Sequence, residues 1–241
     1  MPPFMSDVPD RSSEPDPSDA PAQHPRRNQR QVVLMLAIVG VLLTGFLGGL
    51  LVSNAMHTAP ETPGVVDVGF SQDMSVHHTQ AVQMSSIALS GSTDPAVKRL
   101  AYDILTTQAN QAGRMQGWLQ QWNEPFISPD GYMGWMTDMS AHQHSGTAMH
   151  SGAVQTMPGM ASDQEMAALG QATGTALDTL FLQLMLRHHQ GGMPMIEYAA
   201  QRADTDAVRS LAESMAKTQK SEADLMTQML AERKVAPLAM N

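Results

Sequence analysis

Two short stretches carry the residues most able to do chemistry: "DMSVHHTQAVQMSSIAL", with His77 and His78, and "LMLRHHQGGMPMIEYAA", with His188 and His189. Each His pair is preceded by a methionine, Met74 or Met185, and followed by another, Met84 or Met195, at the same spacing in both stretches. Imidazole and thioether together form a ligand set suited to copper, Cu(I) above all, and less well suited to zinc. The chain has no cysteine, so soft-metal chemistry falls to histidine and to its 21 methionines.

The two stretches belong to a duplication. Sliding the sequence along itself without gaps places 67–122 on 178–233, and the identities include Asp67/Asp178, Phe70/Phe181, Met74/Met185, His77/His188, His78/His189, Met84/Met195, Gln108/Gln219 and Met115/Met226. Met115 and Met226 thereby join the candidate ligands.

These residues must be positioned by helices. Phe70, Met74, His77, Ala81, Met84 and Ala88 recur at spacings of three and four, as do Val97, Ala101, Ile104, Gln108, Ala112 and Met115. Thr93-Asp94-Pro95 supplies a cap and a first-turn proline between the two runs, and Asp204-Thr205-Asp206 does the same in the second repeat. Each repeat, 67–122 and 178–233, is therefore a helical hairpin, and two hairpins with one apolar stripe per helix predict an all-α four-helix bundle. Antiparallel register about the first turn sets His77 near Gln108 and His188 near Gln219, where a glutamine carbonyl could accept the free ring N–H of a ligating imidazole.

Between the repeats, 123–162 is a connection whose central part, "GYMGWMTDMSAHQHSGTAMHSGAVQTMPGM", is too rich in Gly, Ser and Thr for a packed element. It interleaves Met133, Met136, Met139, Met149, Met157 and Met160 with His142, His144 and His150. In a solvent-facing loop such methionines have little packing role, and the mixture points to copper; the alternative is a loop folded onto the bundle with its methionines buried. Ser162 and Glu165 form a capping box that opens a short helix and linker over 163–174.

The N-terminal residues, 1–31, are rich in Pro, Ser and Asp and read as a disordered tail. Residues 32–52 are uncharged and long enough to span a bilayer, with Arg26, Arg27 and Arg30 just ahead. The positive-inside rule then leaves the tail cytoplasmic and everything beyond a linker at 53–66 extracytoplasmic, membrane-anchored or, if the segment is a cleaved signal, secreted. Residues 234–241 are a C-terminal tail. A net charge of -9 argues against a nucleic-acid partner.

The motif Asp67, Phe70, Met74, His77, His78, Met84, repeated as Asp178, Phe181, Met185, His188, His189, Met195, resembles that of the domain of unknown function 305 family over about 64–234. The resemblance implies a ferritin-like four-helix fold and a secreted or membrane-anchored protein, with copper binding in the cell envelope in some members. Two departures from the family pattern stand out. Gln111 takes the place of a usual acidic residue that Glu222 retains, and Gly191, Gly192 and Pro194 replace helix formers after the second His pair, where Pro194 should kink the helix.

The function expected is copper binding, buffering or transfer outside the cytoplasm, with a metal ion, a membrane and a metal donor or acceptor protein as partners. Catalysis is not expected. A ferritin-like redox centre normally uses Glu-x-x-His, which the chain lacks, and no serine elbow is present. A partner-binding bundle whose histidines only set core register is the remaining alternative.

Overall fold

The computed structural model describes residues 26–56, 62–137 and 152–241. They form six helices: α1 (Arg26–Met56), α2 (Val65–Gly91), α3 (Pro95–Trp122), α4 (Asp163–Gln171), α5 (Gly174–Arg202) and α6 (Asp206–Glu232). Among the described residues the only strand-like pairing is a single antiparallel bridge between Tyr132 and Val154. The chain divides into two units, 1–59 and 60–241.

In the first unit, Asn28–Ser53 of α1 has a mean hydropathy of 2.5 and holds no buried residue, and it is long and apolar enough to cross a membrane. The helix begins at Arg26, inside the stretch expected to be disordered. Arg and Gln are good helix formers, and extending an existing helix is far easier than nucleating one. Residues 1–25 of the expected tail lie outside the described residues.

In the second unit the turn chemistry works as the sequence indicates. The Asp94 carboxylate accepts from the Ala96 N–H at 2.8 Å with Pro95 in the first turn of α3, and the Thr205 hydroxyl accepts from the Val208 N–H at 3.3 Å to start α6. Ser162 and Glu165 close the capping box of α4. α2 packs on α3 and α5 on α6, and the two hairpins join along α2 and α5. Those two helices are antiparallel. Asp67 at the start of α2 accepts from the N–H groups of Asp204 and Thr205 and from the Thr205 hydroxyl, beyond the end of α5, while Asp94 at the far end pairs with Arg233.

The core forms two apolar clusters. One holds Phe181 with Met84, Met185 and Met226, and the other holds Phe70 with Met74, Met115 and Met195. Each cluster thus mixes residues from both repeats. Burying each phenylalanine fully contributes about 1.5–3 kcal/mol. Along α2 the histidines lie between Met74 and Met84, and along α5 between Met185 and Met195, so a polar layer separates the clusters.

Candidate metal centre

Adjacent residues on a helix point about 100° apart, so a His pair can serve two different neighbours. His77 faces across the seam between the hairpins, where its ring centroid lies 3.7 Å from that of His188. His78 turns towards its own hairpin and bonds through Nε2 to Oε1 of Gln111 on α3 at 2.8 Å. His189 does the same on α6, with Nε2 2.8 Å from Glu222 Oε2. Because His77 meets its own counterpart, the contact sits on the pseudo-twofold axis relating the repeats.

All four imidazoles are buried, and among the described residues no hydrogen bond of ordinary geometry reaches Nδ1 or Nε2 of His77 and His188, or Nδ1 of His78 and His189; only the Pro158 backbone lies close to the His77 ring and the His77 backbone close to that of His188. Burial holds His77 and His188 well below the ordinary imidazole value, with the neighbouring imidazoles adding to the effect. His78 is lowered to about 4, chiefly by burial, against the opposing bond from Gln111. These three rings are therefore neutral at pH 7, the form that ligates. A carboxylate only accepts, so Glu222 favours a proton on Nε2 of His189, and Nδ1 is the nitrogen through which that ring would ligate.

The acceptors differ from those the register suggested. Gln111 and Glu222 take the bonds, one turn beyond Gln108 and Gln219, whose buried amides have no hydrogen-bond partner among the described residues. The reason is that the second His of each pair, rather than the first, faces its hairpin partner.

The two glycines after the second pair make room. A Cβ at Gly192 would lie 2.8 Å from Cε1 of His77, and one at Gly191 would lie 2.2 Å from the Pro158 carbonyl oxygen. α5 runs as helix through Pro194. The close approaches account for the two glycines.

The connecting segment departs from expectation. Met136 and Met157 are buried and Met133 and Met160 are partly buried against the Phe70 cluster, so none of the four lies on a solvent-facing loop. The segment is pinned to α2 and α5 by polar side chains that periodicity does not reveal. Asp73 accepts from the Met133 N–H at 2.6 Å and from the Trp135 indole at 2.7 Å, and burial raises its carboxyl. Gln80 bonds both the N–H and the carbonyl of Ala161. Buried Arg187 forks onto Glu165, whose carboxyl it holds down at about 2. Only the mismatch between repeats could have marked two of these, since Asp73 and Gln80 fall opposite Leu184 and Gly191. Met139, His142, His144, Met149 and His150 lie outside the described residues.

Among the described residues no three His, Asp or Glu side chains converge as a ligand group. The fit to a metal rests on neutral imidazoles with bare nitrogens in a layer flanked by the six repeat methionines, Met74, Met84, Met115, Met185, Met195 and Met226. That donor set matches a soft cation.

Residues 67–230 match the model of a family described as a domain of unknown function, DUF305. The chain belongs to this family. A DUF305 protein of Streptomyces coelicolor described as secreted is 42% identical, with a TM-score of 0.63 over 72% of this chain and 97% of that one. A DUF305 fragment from Deinococcus radiodurans is 28% identical, with a TM-score of 0.55 over 70% and 98%. CopM in its Cu(II)-bound form is 26% identical, with a TM-score of 0.52 over 69% and 96%. No curated protein matches the chain significantly.

Proposed function

We infer that this protein binds copper outside the cytoplasm, held at the membrane by α1, and buffers the ion or passes it to another protein without turning over a substrate. The observation that carries the reading is the polar layer itself. Among the described residues, Nδ1 and Nε2 of His77 and His188, Nδ1 of His78 and His189, and the amides of Gln108 and Gln219 sit in a packed core with no hydrogen bond of ordinary geometry. Each buried polar atom left so costs about 1–3 kcal/mol. A purely structural histidine layer would carry that penalty with no return, whereas a ligand for the imidazoles removes much of it. The likeness to CopM, solved with Cu(II), supports copper as the ion, and the flanking thioethers favour Cu(I) as well.

Metal titration of the full chain in detergent tests the reading. Copper should bind stoichiometrically under reducing or oxidising conditions and outcompete zinc and iron(II). If neither condition gives selective copper uptake, the bundle is a structural or partner-binding module instead.

A further inference from the structure

The two His pairs are related by the repeat, but their surroundings are not. On the second hairpin a cavity of about 480 Å³ lies between α5 and α6 and reaches His189. Its wall carries Met193 and Glu197 from α5 and Lys217, Lys220 and Asp224 from α6. Met193 is half-buried and Glu197 exposed, so successive turns of α5 present a carboxylate at the surface, a thioether below it and the buried imidazole of His189 last. In the first hairpin the counterparts of Met193 and Glu197 are Val82 and Ser86, and those of Lys217, Lys220 and Asp224 are Thr106, Ala109 and Gly113. At these five positions ligand-type and charged side chains occur on the second hairpin only.

Met193 has no counterpart among the duplicated methionines, and core packing does not explain it, because it belongs to neither apolar cluster. Its position one turn beyond His189 puts a soft donor where an ion leaving solvent would first meet the bundle interior. We propose that the α5/α6 cavity is the port through which Cu(I) reaches and leaves the buried histidines, with Met193 as a transient thioether ligand that passes the ion to Nδ1 of His189. No bond or electron is exchanged beyond ligand substitution at the metal. The rim sets Lys217 and Lys220 against Glu197 and Asp224 and so carries no strong net charge, which leaves selection to the soft thioether and suits copper taken by ligand exchange from a carrier. Lys220 is partly offset by Asp224 at 3.3 Å.

The proposal rests on copper binding at the histidine layer, and its test separates the two. Cu(I) supplied as its anionic bicinchoninate complex is mixed with the full chain, and transfer is followed by loss of the complex's colour, forward and in reverse. Met193→Leu, a nearly volume-conserving change, should slow transfer about tenfold in both directions, the lower end of what losing a metal-site support residue does, and leave the equilibrium affinity unchanged. Val82→Leu in the first hairpin should change nothing. Unchanged rates in Met193→Leu overturn the port while copper binding stands. Weaker affinity with faster release in that variant also overturns it, since Met193 would then be a resident ligand. If the parent takes no copper from the complex, the functional reading falls and the port with it.

Discussion

Asp67 at the start of α2 accepts hydrogen bonds from Thr205, 3.0 Å from its backbone N–H and 2.6 Å from its hydroxyl, and so locks the first hairpin onto the turn of the second. Its repeat counterpart, Asp178, is buried with Oδ1 unpartnered among the described residues. Two residues with one ancestry thus have unequal roles. Asp67→Ala should lower stability by about 2–4 kcal/mol, because it strands the Thr205 and Asp204 donors as well as removing charged-acceptor bonds. Asp178→Asn should stay within about 1 kcal/mol of the parent. Urea unfolding of the two variants side by side reads the difference.

Glycine substitutions separate close approach from simple helix propensity. Gly192→Ala drives a methyl group against His77 in a packed layer, and should destabilise the protein by about 1–3 kcal/mol and weaken copper binding together. Gly113→Ala in α3, where a Cβ would meet nothing within 4 Å, should instead stabilise by roughly 0.5–1 kcal/mol. Thermal melts of both, with and without copper, check the signs.

Acid should destabilise the metal-free protein in a defined window. The folded values of His77, His78 and His188 are depressed, so below about pH 6.5 the unfolded chain binds more protons than the native one. The stability these groups contribute is complete above that pH and is lost as pH falls towards about 4, the folded value of His78. His78 alone should account for a loss of about 2 kcal/mol by pH 5, with His77 and His188 acting in the same direction. Copper held by these imidazoles should leave over the same interval, since protonation competes with the metal. Urea midpoints and bound copper at pH 7 and pH 5 provide the check.

The duplicated hairpins and their caps were legible in the sequence because periodicity and capping are local signals, whereas the meeting of His77 with His188 across the hairpins was not. Which His of each pair faces which helix was not, since that depends on rotation about the helix axis, and a shift of one residue moved the acceptor from Gln108 to Gln111 and from Gln219 to Glu222. The connecting segment was misread for a related reason. Its Gly and Ser content hid that Asp73, Gln80 and Arg187 supply, from distant helices, the hydrogen bonds its backbone needs to lie against the core. Composition also cannot show that Gly159 and Gly191 meet backbone to backbone.

This packing decides how the segment can be cut. Tyr132 and Val154 exchange two backbone hydrogen bonds, at 2.9 and 2.8 Å, and close its neck. Removing 138–151 should leave a folded bundle that still binds copper, with capacity reduced by whatever Met139, His142, His144, Met149 and His150 hold. Removing 131–160 takes Trp135, Met136 and Met157 out of the core and should cost more than about 5 kcal/mol, enough to unfold a domain of ordinary stability. Circular dichroism and copper capacity of the two deletions distinguish these outcomes.

The most direct measurement is X-ray absorption at the copper edge on the chain lacking 138–151 and carrying His24→Ala and His57→Ala, which leaves His77, His78, His188 and His189 as its histidines. The account predicts imidazole scattering from the bound copper, accompanied by sulfur when the metal is Cu(I), and loss of the imidazole signal as the sample is brought to about pH 5. Copper bound with no imidazole in its shell, or no copper bound by this chain at all, would contradict the histidine layer as the site.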